Sequence, residues 1–315
     1  MKKAIVLLSI LLLGQIVLSL YIYRPHHLDS TGVENLVAFA PNQVDQILIE
    51  DDQQHKVALR LRDGHWQIPE ADSFSADDAA VGTLLSRLST LQAGWPVATT
   101  ADAASHFKVA DDAFVRRLTL SRGDQTLARL YLGSAPGFRK IYARAGDRAD
   151  IHSVRFNAFD ANAQINDWID KHPLKVAEPS ISGITLPTFS LVRQAKGLVL
   201  NDLQANEEMD GDATAALAES LADIPIAGLP EQGIAAQPDD AFEFSLTIQG
   251  KGKLDYRFIK VTNGVDYLLS VSDQKRRFLV SATTVDHIKS LTRDKLLASK
   301  EGAHAEMPTN MTTEP

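Results

Sequence analysis

The sequence contains no cysteine and no excess of basic residues, and both absences narrow its function. Without cysteine the fold has neither disulfides nor thiolate chemistry, which fits a bacterial periplasmic domain but is also common among cytosolic domains. The chain carries 32 lysine and arginine residues against 40 aspartate and glutamate residues, a formal net charge of −8. No basic stripe is present to neutralise phosphate groups, so we expect no nucleic-acid partner.

Motifs for nucleophilic catalysis and phosphate binding are also missing. The chain has no Gly-x-Ser-x-Gly elbow and no Ser-x-x-Lys motif beside its partner motifs. The segment Gly133–Gly137 contains two glycines, but it lacks the lysine and the following helix that a phosphate-binding loop requires. It is typical of a hairpin loop between strands. We predict no catalytic and no cofactor-binding residue in this chain.

Nine histidines invite a search for a metal site. His26 and His27 are adjacent, so their side chains cannot converge as two histidines four residues apart on a helix do, and no His-Glu-x-x-His motif occurs. We therefore predict no metal site. We expect surface positions for the other, scattered histidines: His55, His65, His106, His152, His172, His287 and His304.

Paired aspartates are the features closest to a hydrolase site. A glycosidase needs two carboxylates roughly 5–9 Å apart across a sugar, which the sequence does not show. Three of these aspartates have predicted local roles. Asp77 lies at a helix start, and Asp111 and Asp239 lie in turns that precede strands. We expect none of the pairs to be catalytic: Asp51-Asp52, Asp77-Asp78, Asp111-Asp112 and Asp239-Asp240.

Three tryptophans could form a platform that stacks on sugars. Trp66 and Trp168 lie in amphipathic patterns, so we predict that both belong to the core. Trp95 has no such pattern. A deep pocket lined by Trp95 or other aromatic residues would favour a binding function.

The N-terminal segment is typical of a membrane anchor. Ala4 to Tyr23 contain no charged side chain, and 20 helical residues span about 30 Å, the thickness of a hydrocarbon core. Lys2 and Lys3 precede the segment and favour a cytoplasmic N-terminus. A signal peptide has a shorter apolar stretch of roughly 7–15 residues and small residues at its cleavage site, so we predict an uncleaved anchor.

Two stretches of the chain show the same succession of elements. Alternating residues from Val44 predict strands joined by a tight turn at Asp63-Gly64, and leucines at helical spacing then predict a helix ending near Gly94. The same order returns from Ile181, and a shift of 133 positions places Gly64 on Gly197. In both stretches Asp-Asp-Ala-Phe precedes further strands, and final helices are predicted at about Phe156–Trp168 and Thr283–Arg293.

Strands joined by tight turns, with helices after them, predict an α+β fold of antiparallel sheets with packed helices. The predicted organisation is one N-terminal transmembrane helix followed by two tandem repeats. The segments are an anchor at 1–24, a juxtamembrane stem at 25–43, repeats at 44–177 and 178–300, and a disordered tail at 301–315.

The order of several short motifs resembles a bacterial family known as domain of unknown function 4340. Gly64–Ile68, Leu130–Gly133 and Ile141–Ala143 carry the resemblance, together with the anchor, the Ala79–Leu91 leucine repeat and the closing Trp168–Lys171. The family usually has a glycine where this chain has Lys108. It has no assigned catalytic residues, and its genes commonly neighbour ABC transporter components of the gliding-motility type.

The resemblance implies an accessory subunit of the cell envelope, and three functions remain open. The first is a non-enzymatic, membrane-anchored accessory or scaffold protein beside an ABC-type transporter, in the bacterial inner membrane with most of the chain periplasmic. Its partners would be inner-membrane proteins, among them transporter subunits. The second is an extracytoplasmic module that binds a glycan or a lipid, and the third is an envelope hydrolase with a carboxylate site.

The anchor prediction is tested by topology. A reporter that is active only outside the cytoplasm should work when fused after Asn310, and the mature protein should retain Met1 to Tyr23. N-terminal sequencing or intact mass of the membrane-bound protein measures that retention. A soluble, shortened periplasmic form as the main species would contradict the prediction.

Overall fold

A computed structural model of the chain describes residues 12, 14, 15, 34–231, 233–262 and 264–298. Most of the predicted anchor, the first part of the stem and the whole predicted tail lie outside these residues. Among the described residues, no helix has both the length and the apolar character needed to cross a membrane.

Strands make up most of the regular structure of the described residues. They are β1 Glu34–Asn35, β2 Gln46–Asp51, β3 Lys56–Arg62, β4 His65–Ile68, β5 Phe74–Ser75, β6 Gln92–Ala93, β7 Pro96–Ala98, β8 Arg116–Arg122, β9 Gln125–Leu132, β10 Ile141–Ala145, β11 Ile151–Val154, β12 Ile181–Thr185, β13 Ser190–Gln194, β14 Gly197–Leu200, β15 Ala236–Ile248, β16 Gly252–Val261, β17 Tyr267–Val271 and β18 Phe278–Val280.

Helices are few and short by comparison. The α-helices of the described residues are α1 Asp78–Ser89, α2 Ala101–His106, α3 Gly211–Ala222 and α4 Ala282–Lys289. Single turns of 3₁₀ helix occur at Pro41–Gln43, Pro69–Ala71, Ala158–Ala161, Ile165–Asp167, Glu178–Ser180 and Arg293–Leu296.

The strands form a nine-stranded sheet, a seven-stranded sheet and the small pair β1-β6. The order of the first sheet is β5-β4-β3-β2-β8-β9-β10-β11-β7, and that of the second is β14-β13-β12-β15-β16-β17-β18. Neighbouring strands such as β8 and β9, β10 and β11, and β15 and β16 pair antiparallel. The fold is therefore α+β with mostly antiparallel sheets, which confirms the predicted class.

Contacts along the chain divide it into two compact units. Of the described residues, the first unit takes in those up to Val44, Ile49–Gln54 and Leu84–Asn162. The second takes in Asp45–Leu48, His55–Thr83 and those from Ala163 onward. Each unit buries aliphatic and aromatic residues of its own strands, which supply the main favourable free energy of folding.

The leucine repeat of α1 forms the buried face that its spacing predicts. Val81, Leu84, Leu85 and Leu88 are all nearly inaccessible to solvent. The helix ends at Ser89 and not near Gly94 as predicted, and Leu91, just beyond this end, is also buried. In α3 Leu217 and Leu221 are buried, and Asp210 caps the helix by accepting a hydrogen bond from the Ala213 amide.

Tight turns also occur where glycine predicted them. Asp63 and Gly64 between β3 and β4 have φ angles of 52° and 85°. Two successive positive φ angles characterise the two-residue hairpin turn that Asp-Gly favours.

The prediction of a helix at Phe156–Trp168 is wrong. Two separate 3₁₀ turns occupy this segment. Asn157 accepts a hydrogen bond from the Phe159 amide, and Asn166 pairs with the backbone of Leu229 through both of its side-chain groups. Side chains of this type offer the backbone an alternative to continuous helix, which explains the break.

Lys108 occupies a backbone conformation that usually requires glycine. Its φ angle is +55°, in the left-handed region, at the turn that follows α2. This conformation places Cβ close to the following carbonyl, at a cost of roughly 1–2 kcal/mol. The glycine that the resembling family has here would avoid that cost.

Replacing Lys108 by glycine is therefore expected to stabilise the protein. The free energy of unfolding should rise by roughly 1 kcal/mol, because the strain disappears while the greater freedom of the unfolded chain offsets part of the gain. Denaturant unfolding followed by circular dichroism measures the change. Lys108→Ala is the matched control and should give no gain, and a destabilised Lys108→Gly would contradict this explanation.

Candidate functional site

A groove of about 1010 Å³ lies in the first unit and is lined by basic and aromatic side chains. The end of α1 contributes Arg87, the loop before β10 contributes Phe138, Arg139 and Lys140, and the end of β11 leads into Arg155. Further lining residues are Thr90, Leu91, Gln92, Gly94, Ser153, Val154, Phe156, Asn157 and Asp160.

Antiparallel pairing brings these separate segments to one end of the sheet. Ile141 at the start of β10 lies opposite Val154 at the end of β11. Lys140 lies one residue before β10 begins, and Arg155 lies one residue after β11 ends. Both residues are therefore at the same end of the paired strands. Trp95 directly precedes β7 and lies near the same end of the sheet, because His152 of β11 lies opposite Pro96, the first residue of β7.

Most of the positive charge in the groove is not neutralised. Arg87 forms an ion pair with Asp160, the one acidic residue of the lining. Within the described residues, no carboxylate lies within ion-pair distance of Arg139, Lys140 or Arg155. The Arg139 guanidinium instead lies 4.9 Å from the centre of the Phe138 ring. Such a contact leaves the cation available to an anion.

Large aromatic side chains are exposed at the same place. Phe138 in the lining is 87% exposed, Trp95 beside Gly94 is 82% exposed, and Phe159 beside Asp160 is 80% exposed. Burying such a side chain would contribute about 1.5–3 kcal/mol. Several exposed aromatic residues around one groove therefore indicate an interaction surface.

The loop that carries Phe138 is anchored at Gly133. The Gly133 amide donates to the Tyr142 carbonyl at 2.8 Å, and the Ser134 amide donates to the Phe107 carbonyl at 3.0 Å. A Cβ atom on Gly133 would lie 2.0 Å from the Phe107 carbonyl oxygen. The backbone approaches this closely because residue 133 has no side chain.

The paired aspartates hold backbone amides or cations. Asp77 accepts hydrogen bonds from the Ala79 and Ala80 amides at 2.9 and 3.0 Å, as its predicted position at the start of α1 requires. Asp51 is buried and accepts from the Gln53 amide.

Asp111 forms an ion pair with Arg144, whose hydrogen bond holds the pKa of Asp111 below its ordinary value. A carboxylate that is stabilised as an anion is poorly suited to act as a general acid. The prediction of a turn at Asp239 is wrong, because the backbone of Asp239 and Asp240 belongs to β15, where the pairing with β16 is irregular between Gln237 and Ala241. The side chains of Asp239 and Asp240 lie outside the described part of the structure.

Among the described histidines the predicted surface position is wrong for one, and His304 lies outside the described residues. His152 is buried, with 6% of its surface exposed, and its Nδ1 atom lies 2.8 Å from the Gly94 carbonyl oxygen. This contact joins β11 to the segment before β7, which the sequence alone could not indicate. His55, His65, His106, His172 and His287 are exposed as expected. Among the described residues, no group of three histidine or acidic side chains could hold a metal ion.

The tryptophan predictions are confirmed for the core. Trp66 and Trp168 are 7% and 4% exposed, in contrast to Trp95.

The groove itself was not predicted, because its cations are dispersed along the sequence. One local feature of the sequence indicates the groove: Phe138, Arg139 and Lys140 place an aromatic residue and two cations consecutively in a hairpin loop.

Substituting Gly133 tests the close contact between its backbone and the Phe107 carbonyl, which holds the base of the loop that carries Phe138. Gly133→Ala is expected to lower the free energy of unfolding by roughly 1–3 kcal/mol or more, because the new methyl group meets rigid backbone atoms. Thermal or denaturant unfolding measures this loss. The matched control is Gly137→Ala, where a Cβ meets no atom within 4 Å and little change is expected. Equal stability of the two variants would contradict the close contact.

Comparison with known proteins identifies one family. The family described as "Domain of unknown function (DUF4340)" matches residues 66–245. A search among curated proteins gives no match, and a search among solved structures also gives none. The match covers more than half of the 315 residues and includes the groove. The chain therefore belongs to the DUF4340 family.

Proposed function

We propose that this chain is a non-enzymatic, membrane-anchored extracytoplasmic accessory protein that acts by binding, with the groove as its site for an anionic ligand. The observation that carries the proposal is a set of three cations, Arg139, Lys140 and Arg155, at one groove of a chain whose net charge is −8; none of them has a carboxylate partner among the described residues. Like charges this close together repel each other, and a bound anion would relieve that repulsion.

Binding explains the site better than turnover does. The lining has a single carboxylate, and that carboxylate is paired with Arg87. Asp77 and Asp111, the carboxylates that a hydrolase could use, already stabilise a helix start and an arginine. An anion held by three cations and aromatic side chains requires no general acid or base.

The accessory role beside an ABC-type transporter belongs to the same proposal. It derives from the gene neighbourhood of the family, and it assigns inner-membrane proteins as partners. An N-terminal helix in the bilayer would confine the groove to a thin layer above the membrane and raise its effective concentration for such partners.

The proposal includes an internal duplication of the α+β unit. The order β4-β3-β2-β8-β9-β10-β11 in the first sheet corresponds strand by strand to β14-β13-β12-β15-β16-β17-β18 in the second. In each series a helix, α1 or α3, follows the third strand along the chain.

Co-purification from detergent-solubilised membranes tests the binding role. The variant Arg139→Gln/Lys140→Gln/Arg155→Gln is expected to lose part of the proteins or anionic lipids that wild type retains, at about tenfold lower yield. Three exposed charge contacts of roughly 0.2–1 kcal/mol each account for such a loss. Quantitative mass spectrometry of the purified material measures it.

Asp77→Asn and Asp111→Asn are the controls, and each should retain the wild-type partners. A folded, membrane-bound Asp77→Asn or Asp111→Asn protein without function would favour the hydrolase instead. A groove variant with unchanged partners would show that the groove is not the binding site.

A further inference from the structure

We infer that the groove and its exposed aromatic residues dock onto the headgroup layer of a bilayer that contains anionic phospholipids. This inference rests on the proposed function, since it names the anion that the groove binds. The docking surface consists of Trp95, Phe138, Arg139, Lys140 and Arg155.

Both kinds of side chain on this surface suit the edge of a bilayer. Aromatic rings are favoured at the membrane–water interface, where an apolar ring meets headgroups and water. Lysine and arginine near an anionic leaflet each strengthen binding about fivefold. Phe138, Arg139 and Lys140 are consecutive and exposed in the loop between β9 and β10, so the ring and the charges reach solvent together.

The geometry of the sheet places the remaining members at the same edge. Ile141 lies opposite Val154, so Lys140 and Arg155 follow one another across the β10–β11 pair, and because His152 lies opposite Pro96, Trp95 lies at the same end of these strands. Gly133 fixes the base of the loop through its contact with Phe107. A preformed surface loses less conformational entropy on docking than a flexible one.

A bilayer explains the exposed aromatic residues better than a small soluble anion does. A small ligand inside the groove would contact its lining, Phe138 included, but it would leave Trp95, which is 82% exposed and is not a lining residue, in water. An extended anionic surface covers Trp95 and Phe138 and meets the three unpaired cations at the same time. The negative net charge of the chain opposes such docking elsewhere on the molecule.

Trp95 is a natural reporter for this contact. The other two tryptophans, Trp66 and Trp168, are buried within the fold, so lipid-borne quenchers should act mainly on Trp95. The full chain is reconstituted in nanodiscs of phosphatidylcholine, with or without about 30% phosphatidylglycerol, and with spin-labelled lipids as quenchers. We expect strong quenching and a blue shift of emission only when phosphatidylglycerol is present.

Two further measurements make the result specific. Trp95→Phe should abolish the quenchable signal, and Arg139→Gln/Lys140→Gln/Arg155→Gln should weaken the quenching about tenfold or more. The matched control Lys196→Gln/Lys251→Gln/Lys253→Gln removes the same charge at exposed turns and strands of the second unit and should leave quenching unchanged. For wild type, raising salt from about 0.05 to about 0.5 M should reduce quenching, which tests the charges even where a variant does not fold.

Absence of quenching, or equal quenching in both kinds of nanodisc, overturns the inference. If co-purification still depends on the groove in that case, the groove binds a protein or soluble anion, and the proposed binding function stands. If Trp95 enters the bilayer but the groove variant keeps all its partners, the bilayer contact is real and the proposed function fails.

Discussion

The pairing of β10 with β11 determines the position of nearly every group in the groove. These two strands hold Ile141 opposite Val154, and the residues just beyond them carry the unpaired positive charge. The hairpin is in turn held between β9 and β7, whose contacts include the bond of His152 to the Gly94 carbonyl. A slip of one residue in this register would reverse every side chain across the sheet. The electrostatics of the groove therefore depend on a hydrophobic constraint, the burial of Ile141 and Val154.

The groove cations differ from arginines elsewhere in the described structure, many of which are paired with carboxylates. Ion pairs elsewhere are abundant: Glu50 binds Arg117 through two hydrogen bonds, and Glu34 binds Arg148. These hydrogen bonds raise the pKa of both arginines, which stabilises their charged forms. A chain with more acidic than basic residues could neutralise its groove in the same way. It leaves three groove cations exposed to water instead, where their solvation makes the arrangement tolerable and a ligand can reach them.

The fold could be predicted further from the sequence than the site could. Helical spacing predicted the buried face of α1, Asp63-Gly64 predicted a turn, and amphipathic patterns predicted the burial of Trp66 and Trp168. Each of these features depends on residues that are neighbours in the sequence. The helix predicted at 156–168 is absent partly for the opposite reason: the Asn166 side chain pairs with the backbone of Leu229, which is distant in the sequence. The groove was not predicted because strand pairing brings Lys140 and Arg155 together, and the partners of a strand are not visible in its own periodicity.

The two halves of the chain, compared under the proposed duplication, separate what the fold requires from what the groove adds. In the second sheet Tyr267 at the start of β17 lies opposite Val280 at the end of β18, as Ile141 lies opposite Val154 in the first. The apolar pair is thus kept in both. The residues just beyond it differ, because Asp266 and Ser281 take the places of Lys140 and Arg155. Ser281 has a local role, since it caps α4 by accepting from the Thr284 amide. The same strand pairing therefore supports a helix start in one half and positive charge in the other. The charge of the groove is not a by-product of the architecture, which is the reason to assign it a ligand.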